Sequence, residues 1–200
     1  MPFPEILRTR RTVRLYQQKP LSWSELEECV DAARFAPSAR NIQPLEYVVV
    51  TEEKLRKEMF SCMGMGGGIS DFRGKEPAAY AVVLVNNELK GQWYAHDCGL
   101  AVQNLVLAAW EKGIASCILA MVNKEKIRSL LKIPETHEIE LVVTMGYPAE
   151  KPVAEEMQLQ TKGGKSHLPK EKDTNGYRDT KGVLHVPKRP LKKILHRNAF

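Results

Sequence analysis

Residues 97–112, DCGLAVQNLVLAAWEK, are apolar almost all the way round a helix: Leu100, Ala101, Val102, Leu105, Val106, Leu107, Ala108, Ala109 and Trp110 leave no broad polar face. Gly113 stands where a C-terminal stop belongs. A helix of that kind has to occupy the centre of a fold or an interface between chains. Helical and strand patterns alternate around it. Ser22-Trp-Ser-Glu25 has the spacing of a capping box, and Leu26, Cys29, Val30 and Ala33 follow at i, i+3, i+4 and i+7 before Pro37 ends the helix. Residues 45–51 (LEYVVVT) predict a strand, 54–60 a short helix and 78–85 a buried strand. A strand over 116–121, a helix capped by Asn123 and running through Leu131, and a strand over 140–145 complete the pattern. The chain reads as mixed α and β without internal repeats, its strand order open.

With 200 residues, 43% hydrophobic and 27% charged, the chain is expected to form one domain around a real core. Its longest apolar run, residues 78–85, is far short of the ~20 residues of a membrane helix. The start, MPFPEILRTRRTVR, has no apolar segment of the secretory kind. Four cysteines without a C-x-x-C pair and five scattered histidines offer no zinc or disulfide framework, so a reduced, cytoplasmic protein is expected. After Gly146-Tyr-Pro148 the composition shifts. Residues 149–182 form a polar, Lys/Gly-rich stalk, and apolar positions return in 183–200.

The net charge of +6 is unevenly placed. The first twenty residues carry a net +4 and the last eighteen +5, so the 162 between sum to −3. Basic ends are commonly solvated faces. A nucleic-acid stripe would interleave aromatics with the cations, and only Phe3, Tyr16 and Phe200 lie nearby, so no nucleic-acid partner is expected. A third reading has both ends converge on a small phosphorylated ligand, whose oxygens match arginine forks.

The glycine cluster at 64–68 fits neither common nucleotide motif. A dinucleotide fingerprint from Gly64 and Gly66 needs glycine at 69, which is Ile69. A phosphate loop ending in Gly74-Lys75 needs the same glycine, and Ser or Thr where Glu76 stands. Residues 61–76 therefore read as a mobile flap. Cys29 and Cys98 fall on apolar helix faces, and Glu27-Glu28 and Glu155-Glu156 are adjacent, so no nucleophile or acid–base pair emerges. An enzyme of this composition would leave the chemistry to a cofactor.

Seven segments in order resemble the nitroreductase family of FMN-dependent oxidoreductases. R-R-[ST]-x-R-x-[FY] stands at 10–16 and A-P-S-x-x-N-x-Q-P at 36–44. D-x-G-x-A-x-Q-N follows at 97–104 and G-[LI]-x-S-C at 113–117. L-x-I-P-E at 131–135, G-Y-P-A-E-x-P at 146–152 and K-R-P-L at 188–191 complete the set.

The resemblance implies an α+β fold with a central, mostly antiparallel sheet flanked by helices, in an intertwined homodimer. The central helix would pack across the two-fold axis, and the C-terminal segment would reach over the partner. FMN would lie at the dimer interface. Arg10, Thr12 and Arg14 would hold its phosphate and flavin edge with help from Arg11, and Lys188 or Arg189 would join at the phosphate. Pro37, Ser38 and Ala39 would approach the ring from the partner chain with Asn41 supporting their turn, and Ala120 and Met121 would offer backbone N–H groups to it. Arg73 or Lys75 would face the N1/O2 edge. The implied reaction is ping-pong hydride transfer from NADH or NADPH through the flavin to a nitroaromatic, a quinone or another flavin, with 61–76 as lid. Two departures stand out. Leu45 occupies a position where the family commonly has tryptophan, and the stalk at 149–182 is long.

Overall fold

The computed structural model describes residues 1–65, 69, 71–157 and 176–198, which form two compact units, Met1–Ala149 and Glu150–Phe200. Helices α1 (Phe3–Thr9), α2 (Trp23–Arg34), α3 (Glu53–Phe60), α4 (Tyr94–Glu111) and α5 (Lys124–Leu131) and strands β1 (Leu45–Val50), β2 (Ala79–Asn86), β3 (Ala115–Leu119) and β4 (His137–Gly146) build the first unit. The four strands form one sheet in the order β1-β2-β4-β3, every neighbour antiparallel. This is the α+β class expected from the sequence, and it fixes the strand order that the sequence left open.

Strand β2 is central and buried on both faces, which explains its unbroken apolar run. Ala79, Ala81 and Val83 pack with the inward faces of α2 and α4. Tyr80, Val82 and Leu84 point the other way, into a cluster with Met59 of α3 and Ile127 of α5. The sheet is thus sandwiched between two helix pairs.

The caps fall where the sequence places them. Ser22 accepts from Glu25 N–H while the Glu25 carboxylate accepts from Ser22 N–H, a complete capping box. Asn123 accepts from Lys126 N–H at the start of α5. Helix α4 begins three residues before the predicted start, and only one of its apolar faces is covered. Cys98, Ala101, Val102, Leu105, Val106 and Ala109 are buried, whereas Leu100 is 47% exposed and Leu107 and Ala108 are half-buried.

The second unit holds strands β5 (Val153–Glu156), β6 (Tyr177–Arg178) and β7 (Leu184–Lys188) in the order β5-β7-β6, with β5 parallel and β6 antiparallel to β7. The ion pair of Arg178 with Glu150, 2.6 Å long, has its carboxylate side chain only 8% exposed. The stretch expected to be a stalk therefore contributes two strands at its ends, and its residues 158–175 lie outside the described residues.

Candidate functional site

The arginine segment is locked along the edge of the sheet. Thr12 forms a parallel bridge with Ser116 of β3, and Val13 N–H donates to Ser116 O at 3.0 Å. Val13 and Tyr16, both 0% exposed, are its anchors. The Tyr16 hydroxyl donates to Val13 O at 2.6 Å and shares a hydrogen bond with the Thr144 hydroxyl at 2.7 Å. The Tyr16 ring lies so close to Gly146 that a Cβ there would come within 2.8 Å of it, which explains the glycine. Thr12 and Arg14, on either side of the buried Val13, are half-buried, and the Arg14 Nε is buried.

Arg10 and Arg11 are half-buried at the end of α1. Burial lowers both guanidinium pKa values, and for Arg11 the neighbouring Arg10 charge lowers it further. The Arg11 guanidinium donates to the carbonyls of Arg8 and Arg10, closing the helix end, so Arg11 is engaged within its own segment. Among the described residues no carboxylate forms an ion pair with Arg10 or Arg11. Two crowded, partly desolvated cations without a carboxylate make a site whose charge an anion would relieve.

Residues 37–44 form a tight turn between α2 and β1. Arg40, Asn41 and Gln43 all have positive φ (55°, 56° and 54°), an uncommon concentration of left-handed, non-glycine backbone. Ser38 Oγ accepts from Gln43 N–H at 3.0 Å, and Asp97 Oδ1 of α4 accepts from Ala39 N–H at 2.9 Å. Pro37 and Ser38 line one side of a cavity of about 650 Å³ bounded by α2, β1 and α4. The sequence motif contains Asp97 without marking it, because only the fold brings it to a turn 58 residues away.

The chain leaves β3 through Ala120 and Met121, whose side chain is 76% exposed. Val122 N–H donates to Ala120 O and Gly64 N–H to Met121 O. A Cβ on Gly64 would lie 2.8 Å from that Met121 carbonyl. Gly64, read as part of a flap, thus serves close backbone approach beside Met121, while Gly66, Gly67, Gly68 and Ser70 lie outside the described residues. Of the two loop cations, Arg73 is on an exposed turn and pairs with Asp71 at 2.9 Å. Lys75 is docked to the arginine segment, its carbonyl accepting from Tyr16 N–H at 3.0 Å.

Lys188 and Arg189 belong to the second unit, at the end of β7. Lys188 O accepts from Met157 N–H, and Arg189 donates to Lys193 O. Burial pushes the Cys29 and Cys98 thiols up to about 11 and about 12, which keeps both protonated and poorly nucleophilic near neutrality. No described helix is long and apolar enough to cross a membrane.

Comparison with known proteins adds an independent line. A family model described as the nitroreductase family matches residues 7–65 and 71–147. A relative from Archaeoglobus fulgidus is 32% identical over 155 residues, covering 73% of this chain and 85% of its own, and carries a provisional name pairing NADH dehydrogenase with NAD(P)H nitroreductase. A solved structure of an FMN-dependent nitroreductase from Clostridium difficile superposes with a TM-score of 0.65 at 25% identity, covering 74% of this chain and 88% of the other. A second, from Desulfovibrio desulfuricans, was solved in complex with FMN. It reaches a TM-score of 0.69 at 19% identity over 100% of this chain and 98% of the other, a likeness of fold.

Proposed function

The chain belongs to the nitroreductase family, and from that premise we propose that it is a homodimeric FMN-dependent oxidoreductase taking hydride from NADH or NADPH and delivering it to an electron-poor acceptor such as a nitroaromatic, a quinone or a flavin. The observation that carries this reading is the crowded Arg10–Arg11 pair with no described carboxylate beside it, on a segment locked to the sheet edge. The positive charge of that pair suits a phosphate dianion, with Arg10 as the direct donor and Arg11 as the charge beside it, so the residues present fit the cofactor.

In this reading Arg10, Thr12 and Arg14 bind the phosphate end, and Arg11 fixes their segment by closing α1. Lys188 or Arg189, named by the family pattern, is the further cation proposed for that phosphate. The turn at 37–41 of one chain lies against the ring bound mainly by the other. Ala120 and Met121 offer backbone amides at the end of β3, held in place by Gly64. Lys75, rather than Arg73, is the candidate cation for the N1/O2 edge, because its backbone is docked to Tyr16. When bound, the flavin supplies reversible two-electron hydride chemistry. The protein's part is to position donor and acceptor in turn and to keep compensating charge nearby.

The visible spectrum of the purified full-length protein, before and after anaerobic NADH or NADPH, tests this. Flavin bands that bleach on adding a nicotinamide are expected, and the faster donor is named directly. Bands that persist with both donors would replace turnover with flavin binding alone. A colourless protein that fails to take up FMN would overturn the site.

A further inference from the structure

Asp97 is a buried acid, 6% exposed, in the first turn of α4, where the unpaired amides of the helix start favour negative charge. Its Oδ1 accepts the Ala39 amide at 2.9 Å. That bond enters a turn in which three non-glycine residues hold positive φ, a conformation that persists only where its surroundings over-determine it. Ser38 Oγ holds the far end through Gln43 N–H, so the two side chains pin the turn at both ends. Beneath it is open space. Asp97, Pro37 and Ser38 line the same cavity of about 650 Å³, into which a turn released from Asp97 could relax.

We propose that Asp97 is the positioning residue of this turn, holding residues 37–41 in the one shape that can lie flat against the flavin. This rests on the reading that the turn faces FMN, and goes beyond it by assigning the restraint to one carboxylate on another element. Asp97 acts through the Ala39 amide and touches neither cofactor nor substrate in this role. Shape and acceptor chemistry at position 97 should therefore matter more than side-chain volume.

The test titrates FMN into full-length apoprotein and records the visible circular dichroism of the bound flavin. D97A is expected to weaken FMN binding about tenfold or more and to change the dichroism at saturation. D97N, which offers an Oδ1 acceptor in the same place, should restore both to within about threefold of wild type. R40G in the D97A background should recover part of the loss, because glycine takes a φ near 55° without strain. A folded D97A with wild-type affinity and dichroism overturns the proposal while leaving the functional reading intact. A wild type that binds no FMN overturns that reading instead. Should D97A fail to fold, A39P removes the same hydrogen bond from the donor side, after a Ser38 already extended at φ −128°, ψ 151°. FMN affinity unchanged by A39P overturns the proposal equally.

Discussion

Each residue of the proposed site was selected for a different physical reason, and the substitutions that expose those reasons differ. Arg14→Ala removes a cation from the anchored segment without touching Val13 or Tyr16. Losing one charged hydrogen bond is expected to lower FMN affinity by about 1.5–3 kcal/mol, one to two orders of magnitude. Equilibrium dialysis at matched protein concentration reads this directly, and wild-type retention would move the phosphate elsewhere. Gly64→Ala probes backbone approach instead. Its Cβ would meet the Met121 carbonyl at 2.8 Å, and a carbonyl held in a turn has little room to yield. The expected result is a folded protein with displaced Met121 and weaker flavin binding, seen as faster loss of flavin on gel filtration. The sequence marks both positions unequally. Arg14 stands in a readable motif, whereas Gly64 is one of five glycines between 64 and 74 and looks like one more flexible residue. Asp97 was legible as a motif letter and illegible as a restraint, because its partner is chosen by how α4 meets the turn.

Elements with a strong periodic or capping signal were legible, and those without one were not. The capping box of α2, the Asn123 cap of α5 and the buried run of β2 each express a local rule that tertiary packing then reinforced. Helix α1 escaped notice because it has seven residues and a single buried side chain, Ile6, which gives no period. Strand β5 escaped because its residues are largely exposed, so no alternation marks it. Polar contacts support its pairing, and His185 on β7 is the centre of them. His185 Nδ1 lies 2.9 Å from Glu155, its Nε2 lies 3.5 Å from Asp179, and the Tyr177 ring stacks on it at 4.8 Å. The Glu155 hydrogen bond first, then that of Asp179, raises the histidine pKa, while both carboxylates are lowered. A raised histidine contributes stability that is fully present below its unfolded value of about 6.5 and is lost as pH rises through the folded one. The lowered carboxylates contribute above about pH 4 and lose that contribution as pH falls through their folded values. The β5–β7 pairing should therefore be tightest between about pH 4.5 and 6.5 and loosen as pH rises above that, through the raised histidine value. Amide exchange across β5 measured over that range should speed up with pH beyond the intrinsic base-catalysed trend, and His185→Gln should abolish the excess. A histidine resonance titrating below 6.5 would contradict the arrangement.

At the scale of the molecule, one chain covers only one face of the apolar helix α4. Its inner face fills the core, and its outer face still presents Leu100, with Leu107 and Ala108 half-buried beside a groove shared with Phe3 and Phe35. Phe3 is 61% and Phe35 69% exposed, so α1, the end of α2 and α4 together carry large apolar groups facing water. Such a surface is costly for a free monomer and suits a symmetric dimer, in which the same patch covers its own copy. The site argues in the same direction, since the turn at 37–41 would meet a flavin held by the arginine segment of the other chain. Leu100→Asp separates these ideas. The side chain is exposed in the single chain, so folding should be nearly unaffected and far-ultraviolet circular dichroism should match wild type. At a two-fold interface each substitution appears twice, placing two carboxylates in an apolar contact, and the dimer should dissociate by at least about a hundredfold. Sedimentation velocity at micromolar concentration should then show a wild-type dimer and a variant monomer, with flavin lost from the monomer. A wild-type monomer that holds FMN tightly would confine the site to one chain and leave the open face of α4 to another partner. A dimeric variant that loses flavin would place Leu100 at the cofactor instead of the two-fold.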